Sequence, residues 1–246
     1  MIEQVVLGTA AFLAGTLNTV AGGGTFLTFP ALVYTGVPPV AANATSAVAV
    51  FPGYLGGAAG FRREIATIER GKLLAAVAAT AAGGLVGSLL LLVSTNEAFS
   101  VVVPFLLAAA TLAFGDRLQA WAGRHSFGAR QGGPGTLLVA IYGGYFNGGL
   151  GIVLLALFSL WGMRDINLMN GLKNCLSFVL SAISVATFAA AGLVEWPQAI
   201  LMMVAATAGG YAGAPLARAL PRSVVRAVVI LVGTSMSAVF FWRLFA

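Results

Sequence analysis

Apolar runs of about 18 to 25 residues, the length that carries an α-helix across a bilayer, recur along this chain with short polar stretches between them. Such a pattern directs the fold towards a bundle of membrane-spanning helices. Clear runs lie at 40–61, 73–93 and 99–114, and again at 166–193, 199–217 and 224–245. Composition agrees, with 59% of residues hydrophobic, 8% charged and a mean hydropathy of +0.97. Soluble chains carry about a quarter charged residues to solvate their surface, so lipid is the expected solvent here. The start, Met1-Ile2-Glu3-Gln4, lacks the positive region and small-residue cleavage pattern of a removed signal peptide, and the first apolar stretch reads as retained.

Two further apolar stretches, 5–34 and 136–161, are each interrupted midway by glycine-rich sequence, Asn18 to Gly24 in one and Asn147 to Gly151 in the other. Asn18 corresponds to Asn147, and the correspondence continues. Gly83, Gly84 and Gly87 recur as Gly209, Gly210 and Gly213 at the spacing that also relates Glu69 to Glu195. The chain thus reads as two repeats, residues 1–115 and 135–246, joined by a polar, basic linker at 116–134. Each repeat is expected to hold one glycine-broken helix, re-entrant or discontinuous, and three transmembrane helices, making an all-α polytopic membrane protein. The Gly-x-x-x-Gly pairs read as packing devices that let neighbouring helices approach.

Orientation follows from lysine and arginine, which concentrate in cytoplasmic loops. If each broken segment crosses the membrane, the repeats are parallel and the basic residues divide eight against four. If each enters and returns on one side, the repeats are inverted. The division is then eleven against one, with Lys173 left out as intramembrane. Each second half-segment, 25–34 and 152–161, has ten residues, about 15 Å or half the hydrocarbon core. Inverted repeats with hairpins reaching the midplane, both termini outside and the linker inside, are therefore expected.

Unwound backbone at membrane depth is tolerated only where protein or water surrounds it, so the two breaks imply a site between them. Half-helices starting near Thr25 and Ile152 would aim free amides and positive dipole ends at an anion. Gly22, Gly23, Gly24, Gly148, Gly149 and Gly151 would let substrate approach the backbone closely. The next helix of each repeat opens on polar residues: Asn43, Thr45 and Ser46 in one, Asn170, Lys173 and Asn174 in the other, with Asn43 aligned on Asn170. Lys173 is the one cation within a span and so a functional candidate, although its long stem also permits snorkelling. Asn18, Asn43, Asn147 and Asn174 offer neutral donors, or glue between helices.

Several chemistries are not expected. Cys175 and His125, each the only one of its kind, lie in different segments, which argues against a disulfide or a metal site, and no cofactor is expected. The net charge of +6 comes from loop residues that set membrane orientation, so nucleic acid is not the expected partner. No carboxylate lies mid-span to couple protons, and Glu69 and Glu195 sit where a carboxylate stabilises a helix dipole. An intramembrane enzyme would need a nucleophile beside a base, yet His125 falls in the linker.

The glycine run Gly22 to Gly24 followed by Pro30, the stretch Ala42-Asn43-Ala44-Thr45-Ser46 and the recurrence of this arrangement in the second half resemble the sulfite exporter TauE/SafE family, also called the 4-toluene sulfonate uptake permeases. The likeness covers nearly the whole chain. It departs in the second half, which has no proline equivalent to Pro30 and has Leu150 between the glycines of its break. The resemblance implies transport of a sulfur-containing anion such as sulfite or an organosulfonate. The expected function is therefore alternating access at a midplane anion site in the cell membrane, with an anion channel of similar architecture as the alternative. A small anion and the lipid bilayer are the expected partners, and a homodimer is left open.

Overall fold

The computed structural model describes residues 2–20, 22–113 and 133–219, with scattered helical positions between 227 and 242. Met1, nearly all of the linker and much of the expected crossing at 224–245 lie outside the described residues. The elements among the described residues are all helices: α1 Ile2–Val20, α2 Thr25–Tyr34, α3 Pro39–Gly60, α4 Arg62–Ile65, α5 Arg70–Leu92, α6 Asn96–Ala113, α7 Pro134–Tyr145, α8 Leu150–Leu160, α9 Ile166–Ala190 and α10 Trp196–Ala219. No strand occurs among the described residues.

Local chemistry sets the boundaries. Pro39 and Pro134 stand in the first turns of α3 and α7, where a missing amide costs nothing. The Asp165 side chain caps α9 by accepting from the amides of Asn167 and Leu168 at 2.9 and 3.3 Å. Helix α2 starts at Thr25 as the sequence predicts, whereas α8 starts at Leu150, two residues before the expected Ile152. Gly149 explains the difference. Its φ of +75° completes the turn by itself, so Leu150 and Gly151 already belong to the helix.

Helices α5 and α9 are long and apolar enough to cross a bilayer, and α2, α6 and α8 are shorter apolar helices. The sequence leads one to expect more full-length apolar crossings than these two. Helix α3 has 22 residues, but Asn43, Thr45 and Ser46 on it are almost wholly buried. An inner helix wrapped by others need not be apolar all round.

Packing pairs the two halves. Helix α1 lies on α10, α5 on α7, and α3 on α9, with further contacts of α3 with α10 and of α9 with α5. Exchanging the halves leaves this set of pairings unchanged. Glycine permits the closest approaches, as expected of the Gly-x-x-x-Gly pairs: a Cβ on Gly83 would come within 2.6 Å of the Leu137 carbonyl oxygen. Gly144 abuts Gly84, and Gly15, its counterpart at the spacing of Asn18 and Asn147, abuts Gly210.

The same contacts give directions. Gly83 meets Leu137 and Ala140 while Gly87 meets Ile141 and Tyr145, so α5 and α7 run parallel. Gly84 lies against Leu180 and Ser88 bonds Ser184, so α5 and α9 are parallel too. Phe61 rests on Gly171, Gly57 on Asn174 and Phe51 on Phe178, which makes α3 and α9 antiparallel. Behind the breaks, Phe29, Phe99 and Phe146 pack edge to face with centroids 5.6 to 6.1 Å apart. Such pairs add about 0.5–1.5 kcal/mol each beyond their buried area.

Candidate functional site

The first break turns on two glycines, Gly22 and Gly23, at φ +77° and +96°. Asn18 fastens it, its side-chain oxygen accepting from the Gly24 amide at 2.7 Å. In the second break the Tyr142 hydroxyl donates to the Gly148 carbonyl. Neither α2 nor α8 has a side-chain cap. Among the described residues the amides of Thr25 and Gly151 make no hydrogen bond. Both half-helices thus present a donor without a partner among the described residues at the end where the dipole is positive.

The two breaks touch. A Cβ on Gly22 would lie 3.2 Å from the Gly151 Cα, and one on Gly151 would lie 3.3 Å from the Gly22 Cα. Gly23 faces Ile152, and Gly149 faces Phe26. The Lys173 stem runs beside this junction, its Cδ 3.3 Å from the place of a Gly151 Cβ. Lys173 is 2% exposed, and its Nζ donates to the Asn170 Oδ1 at 3.2 Å. The one ion pair among the described residues is Lys72 with Glu69, so the Lys173 ammonium has only a neutral acceptor. A buried cation so weakly compensated favours an anion beside it.

Other predicted site residues divide. Asn43 donates to the Tyr145 carbonyl at 2.9 Å and keeps its Oδ1 unpartnered. Asn147 is buried with both amide atoms unpartnered, although the Tyr54 hydroxyl is its polar neighbour. Ser46 shares a 2.6 Å hydrogen bond with Thr28, which closes α2 onto α3. Thr25 is buried at the head of α2. Thr45 and Asn174 lie apart from this group. The Thr45 hydroxyl accepts from the Glu195 amide at 3.0 Å, and Asn174 packs against Gly57. Thr28, Tyr54 and Tyr142 escape sequence reading. A hydroxyl one helical turn from a break is the signal that points to Tyr142.

The model of the sulfite exporter TauE/SafE family matches residues 7–240, which takes in both breaks and Lys173. The chain belongs to the TauE/SafE family. Among relatives, the TauE/SafE chain is 27% identical to "Probable membrane transporter protein YfcA" of Escherichia coli strain K12, over 97% of this chain and 90% of the relative. A "Probable membrane transporter protein" of Haemophilus influenzae is also 27% identical, over 95% and 92%. "Probable membrane transporter protein ORF9" of a Sinorhizobium species is 26% identical, over 94% and 89%. No solved structure matches it. Family membership and the apolar helices together make this a helical membrane protein.

Proposed function

We propose that this TauE/SafE protein is a multi-pass carrier of the cell membrane that moves a small sulfur oxyanion or organosulfonate by alternating access. The observation that carries the reading is the contact of Gly22 with Gly151 beside the buried Lys173. Two half-helix ends without a side-chain cap, the unpartnered Asn147 amide and one ammonium together supply donors and positive charge, with no carboxylate paired to that ammonium among the described residues. Oxyanions need that set, and charge-assisted hydrogen bonds are its strongest members.

The fold we propose is a pair of inverted repeats with the breaks as re-entrant hairpins. Helices α3 and α9 hold equivalent places and run in opposite directions, the relation that inverted repeats require. Helix α7 runs with α5, and α8 leads back through a short loop to the start of α9, as a hairpin entering and leaving on one side would. Topology is tested by labelling from each face: a cysteine replacing Glu3 should react from outside and one replacing Arg63 from inside. Reaction of both from one face would sink the inverted arrangement.

Transport is tested with purified protein in liposomes. A carrier gives saturable uptake of labelled sulfite and exchange against unlabelled sulfite, with thiosulfate and sulfonates as competitors. Conductance far above carrier rates would instead favour the channel. Absence of flux for every sulfur anion would overturn the substrate class.

A further inference from the structure

The two halves differ where α5 and α10 begin. The spacing that relates Glu69 to Glu195 sets the start of α5 against the start of α10, and the spacing that relates Asn43 to Asn170 sets Thr45 against Leu172. The turns after α2 and α8 match as well. Gly36 and Gly162 have φ of +89° and +78°, and Val37 and Met163 each donate to the carbonyl five residues back. Each half therefore builds the same joint with the other: α10 packs on α3, and α5 on α9.

The α10 joint is shut. Val37, Val194, Ala199 and Met202 are buried in one apolar cluster, and the Glu195 amide donates to the Thr45 hydroxyl at 3.0 Å. The α5 joint stands open. Met163, Ile68 and Leu73, the counterparts of Val37, Val194 and Ala199, are only half-buried around a cleft of about 310 Å³. Leu172 lines the same cleft in the place of Thr45 and has no oxygen to accept an amide. Each of these four side chains is apolar and larger than its counterpart. Closing the cleft would take them out of water, so the open joint carries its own drive to shut. Packed interfaces of this kind have discrete arrangements and do not deform continuously.

We propose that the structure is one end state of the carrier, shut at the joint bearing Glu195 and open at the joint bearing Lys72. Transport exchanges the two joints: the start of α5 closes on α9 as the hydrogen bond from Glu195 to Thr45 parts. The proposal rests on the inverted carrier reading. It gives that reading a latch at one joint only, because Leu172 cannot do what Thr45 does. Removing the latch tilts the balance towards the opposite state.

Cysteine accessibility tests it in full-length protein with Cys175→Ser as background. Ile68→Cys should react with a membrane-impermeant thiol reagent from the face bearing Lys72, and its counterpart Val194→Cys should react slowly from the face bearing Glu195. Adding Thr45→Val should speed the reaction at Val194→Cys about fivefold, the worth of one hydrogen bond in the balance of two states, and slow the reaction at Ile68→Cys. A rise at Val194→Cys with no fall at Ile68→Cys is local loosening and overturns the exchange, as do two unmoved rates. A second variant works from the other side. Ala76→Trp places a wedge in the cleft, so the protein should unfold at no lower temperature while sulfite flux falls at least tenfold. Full flux with the wedge in place also overturns the exchange. Opposite shifts at the two cysteines without flux of any sulfur anion would keep the exchange and remove the substrate reading, whereas sulfite flux with unmoved rates would remove the exchange alone.

Discussion

Phe51 and Phe178 stack with their ring centroids 5.1 Å apart and their planes 11° apart, and each is the other's counterpart at the spacing that relates Asn43 to Asn170. In the proposed inverted repeat, a residue that meets its own counterpart lies on the axis relating the two halves. Gly22 and Gly151 do the same at the spacing of Asn18 and Asn147, so α3, α9 and both breaks share that axis.

The stacked pair predicts a coupling. Phe51→Ala and Phe178→Ala each remove the same ring contact, so the double variant should lose less stability than the sum of the singles. The shortfall should be about 0.5–1.5 kcal/mol. Unfolding of the four proteins of this cycle in detergent measures it, and strict additivity would mean the stacking contributes nothing.

Gly22 and Gly36 separate strain from contact. Both have positive φ, +77° and +89°, but a Cβ on Gly36 has nothing within 4 Å while one on Gly22 meets Gly151. Alanine at either should lower stability by about 1–2 kcal/mol through left-handed backbone. Only Gly22→Ala should also abolish anion flux, and liposome uptake beside melting curves distinguishes the two effects.

Asn18 and Asn147 are counterparts with different duties. Asn18→Ala removes the acceptor of the Gly24 amide and should cost about 1 kcal/mol of stability, with Asn18→Asp restoring it. Asn147→Ala breaks no hydrogen bond, so its stability loss should be the smaller. Sulfite affinity should fall about tenfold, the worth of one hydrogen bond to a charged group. Ligand-induced thermal shift reads both.

Lys173→Met keeps the stem that packs on Gly151 and removes the charge. The variant should fold at least as stably, since it no longer buries an ammonium against a single amide oxygen. Sulfite should no longer raise its melting temperature. A retained shift would take Lys173 out of the site.

Much of this was legible in the chain. The breaks, the start of α2 at Thr25 and the close approaches at Gly83 and Gly87 follow from glycine placement and helix length. The start of α8 did not, because Gly151 looks like part of the break until the φ of Gly149 shows the turn already closed. Thr45 and Asn174 sit beside true neighbours of the breaks in sequence, but helical rotation carries them to Glu195 and Gly57. Thr28, Tyr54 and Tyr142 escape because single hydroxyls in an apolar helix read as tolerated polar residues, and only their partners Ser46, Asn147 and Gly148 show what they face.

Lys173 has Ser46 as its counterpart, and Ser46 is already bonded to Thr28. The one buried ammonium among the described residues therefore belongs to the second half alone. In the proposed carrier this gives the anion a polarity: an organosulfonate would keep its head on the second half and its tail on the first throughout the cycle. It would leave head first towards one face and tail first towards the other. The two faces should then show unequal half-saturation concentrations, while detailed balance still holds net flux at zero when the concentrations are equal.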